Sequence, residues 1–214
     1  MTERAARLIR FSYVAAPVLL VVYGSVRLLV EGSKEPGAAW TAGHIAFLLG
    51  VLFFGVASEG LRRTAAAVGG PARRRVARAG AVAALVGATA AVAQAVIDLY
   101  AGLRAEDKPE MKEIFARVQD IPGVMPAVYT VGPLFLYLGM ITLLAALKGP
   151  GAVRSLVLFV LGTAAIATNL DLLPLGGLCY LLAFAPLRPR VPAAGSAAGT
   201  RGRAVAIRGA DRPA

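Results

Sequence analysis

The chain has 214 residues, of which 57% are hydrophobic and only 16% are charged, whereas about 25% of the residues of a typical soluble domain are charged. A soluble fold of this size has too small an interior to bury so much apolar surface, and the composition also excludes a disordered chain and a disulfide scaffold. The chain is therefore predicted to use lipid as its solvent, and the placement of its net charge of +11 matters more than the sum.

The single cysteine and the single histidine exclude several kinds of site. Cys179 has no partner for an intramolecular disulfide or a redox pair. His44 alone cannot form a two-histidine haem site or an HExxH zinc motif. The sequence also contains no phosphate-binding P-loop and no nucleophile elbow. We expect no metal, no cofactor and no catalytic residue set.

The first three apolar runs each have a distinct flank. The first follows Arg4, Arg7 and Arg10 and is too long for a signal peptide, so it is predicted to be an uncleaved span. The second follows Trp40, whose indole favours a membrane interface. The third is rich in alanine and glycine, which let helices approach closely. These runs cover 11–31, 41–58 and 79–103.

A polar stretch after the third run predicts a short outer helix over 108–120. Asp107 with Glu110 fits an acidic variant of the capping box. Apolar residues then recur at spacings of three and four, which is one helix face. The helix either lies on the membrane surface or packs on the ends of the bundle. The apolar residues are Met111, Ile114, Phe115, Val118 and Ile121.

The last apolar stretches predict three further spans, 124–147, 153–169 and 173–187. Gly132 and Pro133 should kink the fourth span or free a carbonyl for a neighbour. The final stretch is too long for one straight span, and Asn169, Asp171 and Pro174 mark a turn at its centre. A re-entrant hairpin is the alternative to two short spans.

The distribution of basic residues predicts the orientation. Segments 1–10, 59–78, 148–154 and 188–214 hold 17 of the 23 Lys and Arg residues, and six spans place all four segments on one side. The positive-inside rule then puts both termini in the cytoplasm. We predict an all-α polytopic bundle of about six spans (11–187) in the cytoplasmic, or inner, membrane, with a cytoplasmic N-terminus (1–10) and a disordered basic tail (188–214).

Three ionisable residues lie within predicted spans, where charge is costly and often functional. Arg27, His44 and Asp98 all fall roughly 4–8 Å below the outer surface at 1.5 Å per residue. Asp98 is the expected partner of Arg27, with His44 hydrogen-bonded at the same level. Further polar side chains are predicted to join this outward-facing cluster: Gln94, Tyr129, Thr130, Asn169 and Asp171.

The cluster has two interpretations. In the structural one, a buried bridge between Arg27 and Asp98 fixes helix packing, or Arg27 reaches the headgroups or pairs with Glu31. In the functional one, the cluster is a small pocket that binds a polar or lipidic ligand or relays protons.

The basic segment between the second and third spans is predicted to determine topology and to contact anionic lipid headgroups. No aromatic residue interleaves the arginines of this segment, so nucleic-acid binding is not expected. The arginines are Arg62, Arg63, Arg73, Arg74, Arg75 and Arg78.

The layout resembles a broad group of multi-spanning bacterial membrane proteins without an assigned activity. The shared features are Trp40-x-x-x-His44 at the start of span two, a long Ala/Gly-rich third span, a proline-bearing fourth span, and Pro174-x-Gly176-Gly177 at the start of the last span. The resemblance implies a helical membrane bundle and transfers no site residue.

The functional expectation is a structural, accessory or small-molecule-binding membrane protein. A small transporter or proton-coupled permease is the first alternative. A membrane-embedded enzyme acting on a lipid or quinone is the second, with His44 and Asp98 as acid–base groups.

Overall fold

Only helices are present in the computed structural model, which describes residues 2–187. Six of the helical segments are long and apolar enough to cross a membrane, which confirms the predicted all-α transmembrane bundle. The predicted tail, 188–214, lies outside the described residues. The helices are α1 (Glu3–Leu29), α2 (Ala38–Ala67), α3 (Pro71–Arg104), α4 (Lys108–Gln119), α5 (Val131–Ala145), α6 (Pro150–Thr168) and α7 (Leu173–Phe184).

The three longest helices extend well beyond the apolar runs. Helix α1 begins at Glu3, where the Thr2 hydroxyl accepts a hydrogen bond from the Ala5 amide. Helices α2 and α3 are separated only by residues 68–70. Alanine and arginine are strong helix formers, so the basic segment continues both helices. Its arginines are therefore held on helix ends.

Helix α4 packs on the end of the bundle. The Asp107 carboxylate accepts from the Glu110 amide at 2.8 Å, as the capping pattern predicts, and the Glu110 carboxylate accepts from the Glu106 amide. Met111 and Ile114 are buried against Ala101 of α3. The apolar face of α4 therefore contacts the end of α3.

Helix α5 is preceded by a π-helix, Met125–Thr130. The Val131 amide donates to the Pro126 carbonyl, and Pro133 has no amide hydrogen to donate to the Tyr129 carbonyl. A Cβ at Gly132 would overlap the Ala127 carbonyl, so this wide turn requires glycine. The irregularity predicted from Gly132 and Pro133 therefore lies at the start of the span. Wide turns of this kind are frequent at functional sites.

Helices α3 and α5 pack at very short range along an antiparallel seam. Gly80 faces Thr142, while a Cβ at Gly87 would overlap the Leu136 backbone. A Cβ at Gly139 would likewise overlap the Ala84 backbone. Small residues permit this close approach, which gives lipid-embedded helices extensive van der Waals contact.

The end of the bundle that carries the N-terminus of α1 is densely packed; we call it the basic end. Leu61, Leu143 and Leu144 are 0–1% exposed there. Nearer the centre, Phe159 stacks on Tyr180 with ring centroids 4.2 Å apart. This packing closes the basic half of the bundle.

Helices α6 and α7 form a tight antiparallel hairpin. The Asn169 side chain accepts from the Asp171 amide at 2.8 Å and opens a short 3-10 turn, Leu170–Leu172. Gly162 and Gly176 lie against each other where the two helices cross. Segments Gly151–Thr168 and Leu170–Leu187 are each long and apolar enough to cross a membrane, as the two-span interpretation requires.

Candidate functional site

The polar residues of the spans gather at the end opposite the basic end, which we call the cavity end. It comprises the last turns of α1, α3 and α6, the first turns of α2, and the π-helix. Two contacts show that these helix ends lie at the same end of the bundle. Trp40 at the start of α2 bonds to α3 near its end, and Arg27 near the end of α1 lies beside the turn that follows α6.

A buried aromatic frame holds His44 against Asp98. The Trp40 indole donates to the Asp98 carbonyl at 2.8 Å and stacks on the His44 ring with centroids 4.0 Å apart. The Tyr23 ring meets the other side of the imidazole at 5.3 Å. His44 is 5% exposed and Asp98 is 7% exposed. A Cβ at Gly102 would overlap the Trp40 indole, so glycine at this position makes room for the frame.

The imidazole is oriented by its backbone contact. Its Nδ1 lies 2.8 Å from the Trp40 carbonyl, which can only accept, so Nδ1 carries a proton. Its Nε2 then faces the Asp98 carboxylate at 3.6 Å. One further proton, on either Nε2 or the carboxyl group, makes the pair neutral overall. A low-dielectric site favours that state, and the pair can hold or pass on a proton.

Arg27 does not pair with Asp98, in contrast to the sequence-based expectation. Its Nε lies 3.8 Å from the Asp171 carboxylate, which Lys34 also approaches at 3.9 Å. The Ser33 hydroxyl donates to the Arg27 carbonyl at 3.0 Å. Arg27, His44 and Asp98 all lie near the cavity end, but they face different neighbours. Asp98 turns towards α2, and Arg27 turns towards the α6–α7 turn.

Trp40→Phe is expected to lower the free energy of unfolding by about 1 kcal/mol, because it removes the indole hydrogen bond and keeps most of the stacking. Chemical unfolding in mixed micelles measures the change. Thr41→Val is the control, since it removes only an exposed hydrogen bond to the Gly37 carbonyl. Equal stability of both variants would contradict an energetic role for the bond to the Asp98 carbonyl.

A cavity of about 580 Å³ lies beside this frame, between α1, α2, α3, α5, α6 and α7. Aromatic rings form much of its wall, and side-chain hydroxyls and amides supply its polar groups. The aromatic lining residues are Tyr23, Phe47, Phe54, Tyr129, Tyr137, Phe159 and Tyr180. The other polar lining residues are Gln94, Thr130, Thr163, Thr168 and Asn169.

Among the described residues that line the cavity none is charged, and the polar groups are unevenly distributed. Thr130, Thr168 and Asn169 are exposed and form its rim at the cavity end. Deeper inside, the hydroxyls of Thr163 and Tyr180 bond to each other at 2.9 Å. Within residues 2–187, the buried Tyr129 hydroxyl has no hydrogen-bond partner. A bound molecule with an acceptor or donor would satisfy it.

Tyr23 connects the two parts of the cavity end. Its ring lines the cavity and also packs edge-on against His44, and it contacts Phe47, another lining residue, at 5.1 Å. Asp98 lies one helical turn beyond Gln94, which lines the cavity. The His44–Asp98 pair is therefore separated from the cavity by one aromatic ring.

The eight predicted site residues fall into three groups. Gln94, Tyr129, Thr130 and Asn169 line the cavity. His44 and Asp98 form the buried pair, whereas Arg27 and Asp171 form the ion pair near the rim. Sequence reasoning missed the lining residues within apolar runs: Tyr23, Phe47, Tyr137, Thr163 and Tyr180. Their only signal was a hydroxyl or a ring, which an ordinary core also contains.

Within residues 2–187, no three His, Cys, Asp or Glu side chains are grouped closely enough to hold a metal ion. No protein family, curated protein or solved structure matches the chain.

Proposed function

We propose that this protein is a membrane-embedded binding protein for a small amphipathic molecule. The observation that carries the proposal is the cavity of about 580 Å³ with aromatic walls and a polar rim. Ligand pockets are typically about 300–1,000 Å³, mostly apolar, with a few polar groups that orient the ligand.

The distribution of polar groups supports one orientation of the ligand. Its apolar body would lie against Phe54 and Phe159, near the closed basic half, and its polar group would face Tyr129 and Asn169 near the rim. The orphaned Tyr129 hydroxyl supplies a hydrogen-bonding group for that end. An aromatic wall also accommodates planar rings through offset or edge-on contacts.

We further propose that the cavity end faces away from the cytoplasm, in the cytoplasmic membrane. The supporting observation is the charge asymmetry of the sequence. The basic end of the bundle carries more Lys and Arg residues than the cavity end, and the positive-inside rule places the more basic side in the cytoplasm. Both termini would then be cytoplasmic.

The arginines at the break between α2 and α3 are proposed to bind anionic lipid headgroups. The Glu59 carboxylate accepts hydrogen bonds from both Arg62 and Arg63, so part of their charge is neutralised within the protein. The arginines of the first two turns of α3 retain theirs and would dominate headgroup binding: Arg73, Arg74, Arg75 and Arg78.

Ala91→Phe is expected to reduce ligand retention about tenfold, because Ala91 is buried in the cavity wall and the added ring would occupy the ligand volume. Protein is extracted directly into nanodiscs, delipidated by exchange, and its retained small molecules are quantified by mass spectrometry. Val86→Phe is the matched control, since Val86 is 50% exposed on the same helix and does not line the cavity.

The retention experiment has a second variant in case Ala91→Phe does not fold. Gln94→Leu keeps the side-chain size and removes a polar group from the wall. If Ala91→Phe folds, retention at the wild-type level in this variant would refute the proposal. If it does not fold, equal retention in the wild type, Gln94→Leu and Val86→Phe would refute it.

A proton-coupled permease is the second candidate, and the buried His44–Asp98 pair beside Tyr23 favours it. Such a function would produce proton flux in proteoliposomes with an internal pH dye under an imposed potential. Flux that Asp98→Asn abolishes would support the permease over the binding protein. The binding proposal expects wild-type vesicles to match empty ones.

A further inference from the structure

We infer that the cavity opens sideways into the bilayer between α5 and α6, and that its ligand is an uncharged, lipid-dissolved amphiphile. The inference rests on the proposed binding function and adds the route and the chemical class. Three observations carry it: exposed residues in the cavity wall, their depth along the spans, and the lack of charge in the lining.

Several cavity-lining residues are also exposed on the outer surface of the bundle. Leu134 of α5 is 54% exposed and Leu170, just after α6, is 53% exposed. Ala167 of α6 lines the cavity and is exposed as well. Each of these residues borders both the cavity and the outer surface, so it lies where an opening between the two would form. Leu134 and Ala167 therefore mark the two sides of a window.

The window extends from the rim, where Ala167 lies one residue before the end of α6, into the apolar part of the bundle, where Leu134 lies. Leu134 lies nine residues after Met125, where the span begins, which is at most about 14 Å along the helix axis. Its exposed neighbours on the same helix, Val131 and Leu138, are apolar, as is the exposed Leu161 of α6. A surface of this composition faces acyl chains. The window thus connects the cavity with lipid.

The lining of the cavity selects against ionised molecules. Within the described lining there is no side chain that could neutralise a charge, and an unpaired charge inside a membrane is expensive. The hydroxyls and the amide groups suit a neutral alcohol, carbonyl or ring oxygen. An uncharged amphiphile can enter from the bilayer with its apolar body first and leave its polar group near Tyr129 and Asn169.

The test uses the full chain in lipid nanodiscs and a neutral photoreactive probe, a sixteen-carbon primary alcohol with a mid-chain diazirine. Labelling of Tyr180 reports on the cavity, because this residue lines it and is only 1% exposed. We expect Tyr180 labelling in the wild type and at least a fivefold loss in Leu134→Trp, whose indole would cover the window.

Leu138→Trp is the control, because Leu138 is 57% exposed one turn further along the same helix and does not line the cavity. It should leave Tyr180 labelling unchanged. Both positions are exposed, so both variants should fold, and their thermal unfolding is measured in parallel. Equal Tyr180 labelling in Leu134→Trp and Leu138→Trp would overturn the lateral route.

A short, water-soluble diazirine benzyl alcohol separates the failure of this inference from that of the proposed function. Strong labelling of Tyr180 by the short alcohol, with none by the long-chain alcohol, would leave a binding cavity that is filled from water and refute the lateral route. If neither probe labels Tyr180, the binding function fails together with the inference.

Discussion

Gly87→Ala is expected to destabilise the protein by about 2–3 kcal/mol, although alanine is the better helix former. The reason is the seam between α3 and α5, where a single added methyl group would overlap the Leu136 backbone. Because backbone cannot rotate away as a side chain can, the two helices would have to separate. Unfolding by denaturing detergent in mixed micelles measures the change.

Gly55→Ala is the matched control for this prediction. A Cβ at Gly55 would meet only the Leu85 side chain at 3.8 Å, which is ordinary contact. The change should be neutral or stabilise the helix by up to about 1 kcal/mol. Gly87→Ala is thus expected to lower the free energy of unfolding, whereas Gly55→Ala is not. A Gly87→Ala variant as stable as the wild type would mean that α3 and α5 do not pack this closely.

Asp98→Ala is expected to cost about 3–5 kcal/mol of unfolding free energy, because it leaves His44 buried without its acidic partner. His44→Ala should also destabilise, since it leaves the carboxyl group buried alone. In the double variant neither group remains. The coupling between the two changes should therefore be about 1–3 kcal/mol.

The Arg27–Asp98 cycle is the control, and it tests the partner assignment directly. Arg27 lies beside Asp171 and makes no ion pair with Asp98, so Arg27→Gln and Asp98→Ala should couple more weakly than His44→Ala and Asp98→Ala. A larger coupling in this cycle than in the His44–Asp98 cycle would restore the pairing that the sequence suggested. All variants are measured at one pH and in one lipid.

The transmembrane class could be predicted from the sequence because a bilayer imposes one strong requirement. Backbone polar groups in lipid must bond internally, so an apolar run of sufficient length has to be a helix. The start of α4 could also be predicted from the sequence, because the hydrogen bond between the Glu110 amide and the Asp107 carboxylate is local. The position of Arg27, His44 and Asp98 near the same end of the bundle also follows from the constant rise per residue.

The partners and the cavity were decided only by tertiary structure. Hydrophobicity in a span is nearly uniform around the helix, so it carries little information on which face meets which neighbour. For that reason the sequence predicted which end of the bundle Asp98 lies near, but it did not predict the contact of Asp98 with His44. Tyr180 and Phe159 lie in apolar runs where they look like core residues, and only the packing of six spans leaves a space beside them. The sequence by itself determined which end of the bundle each group lies near, because that depends on helix geometry along one axis. The fold decided what each group faces, because that depends on how helices rotate and pack against one another.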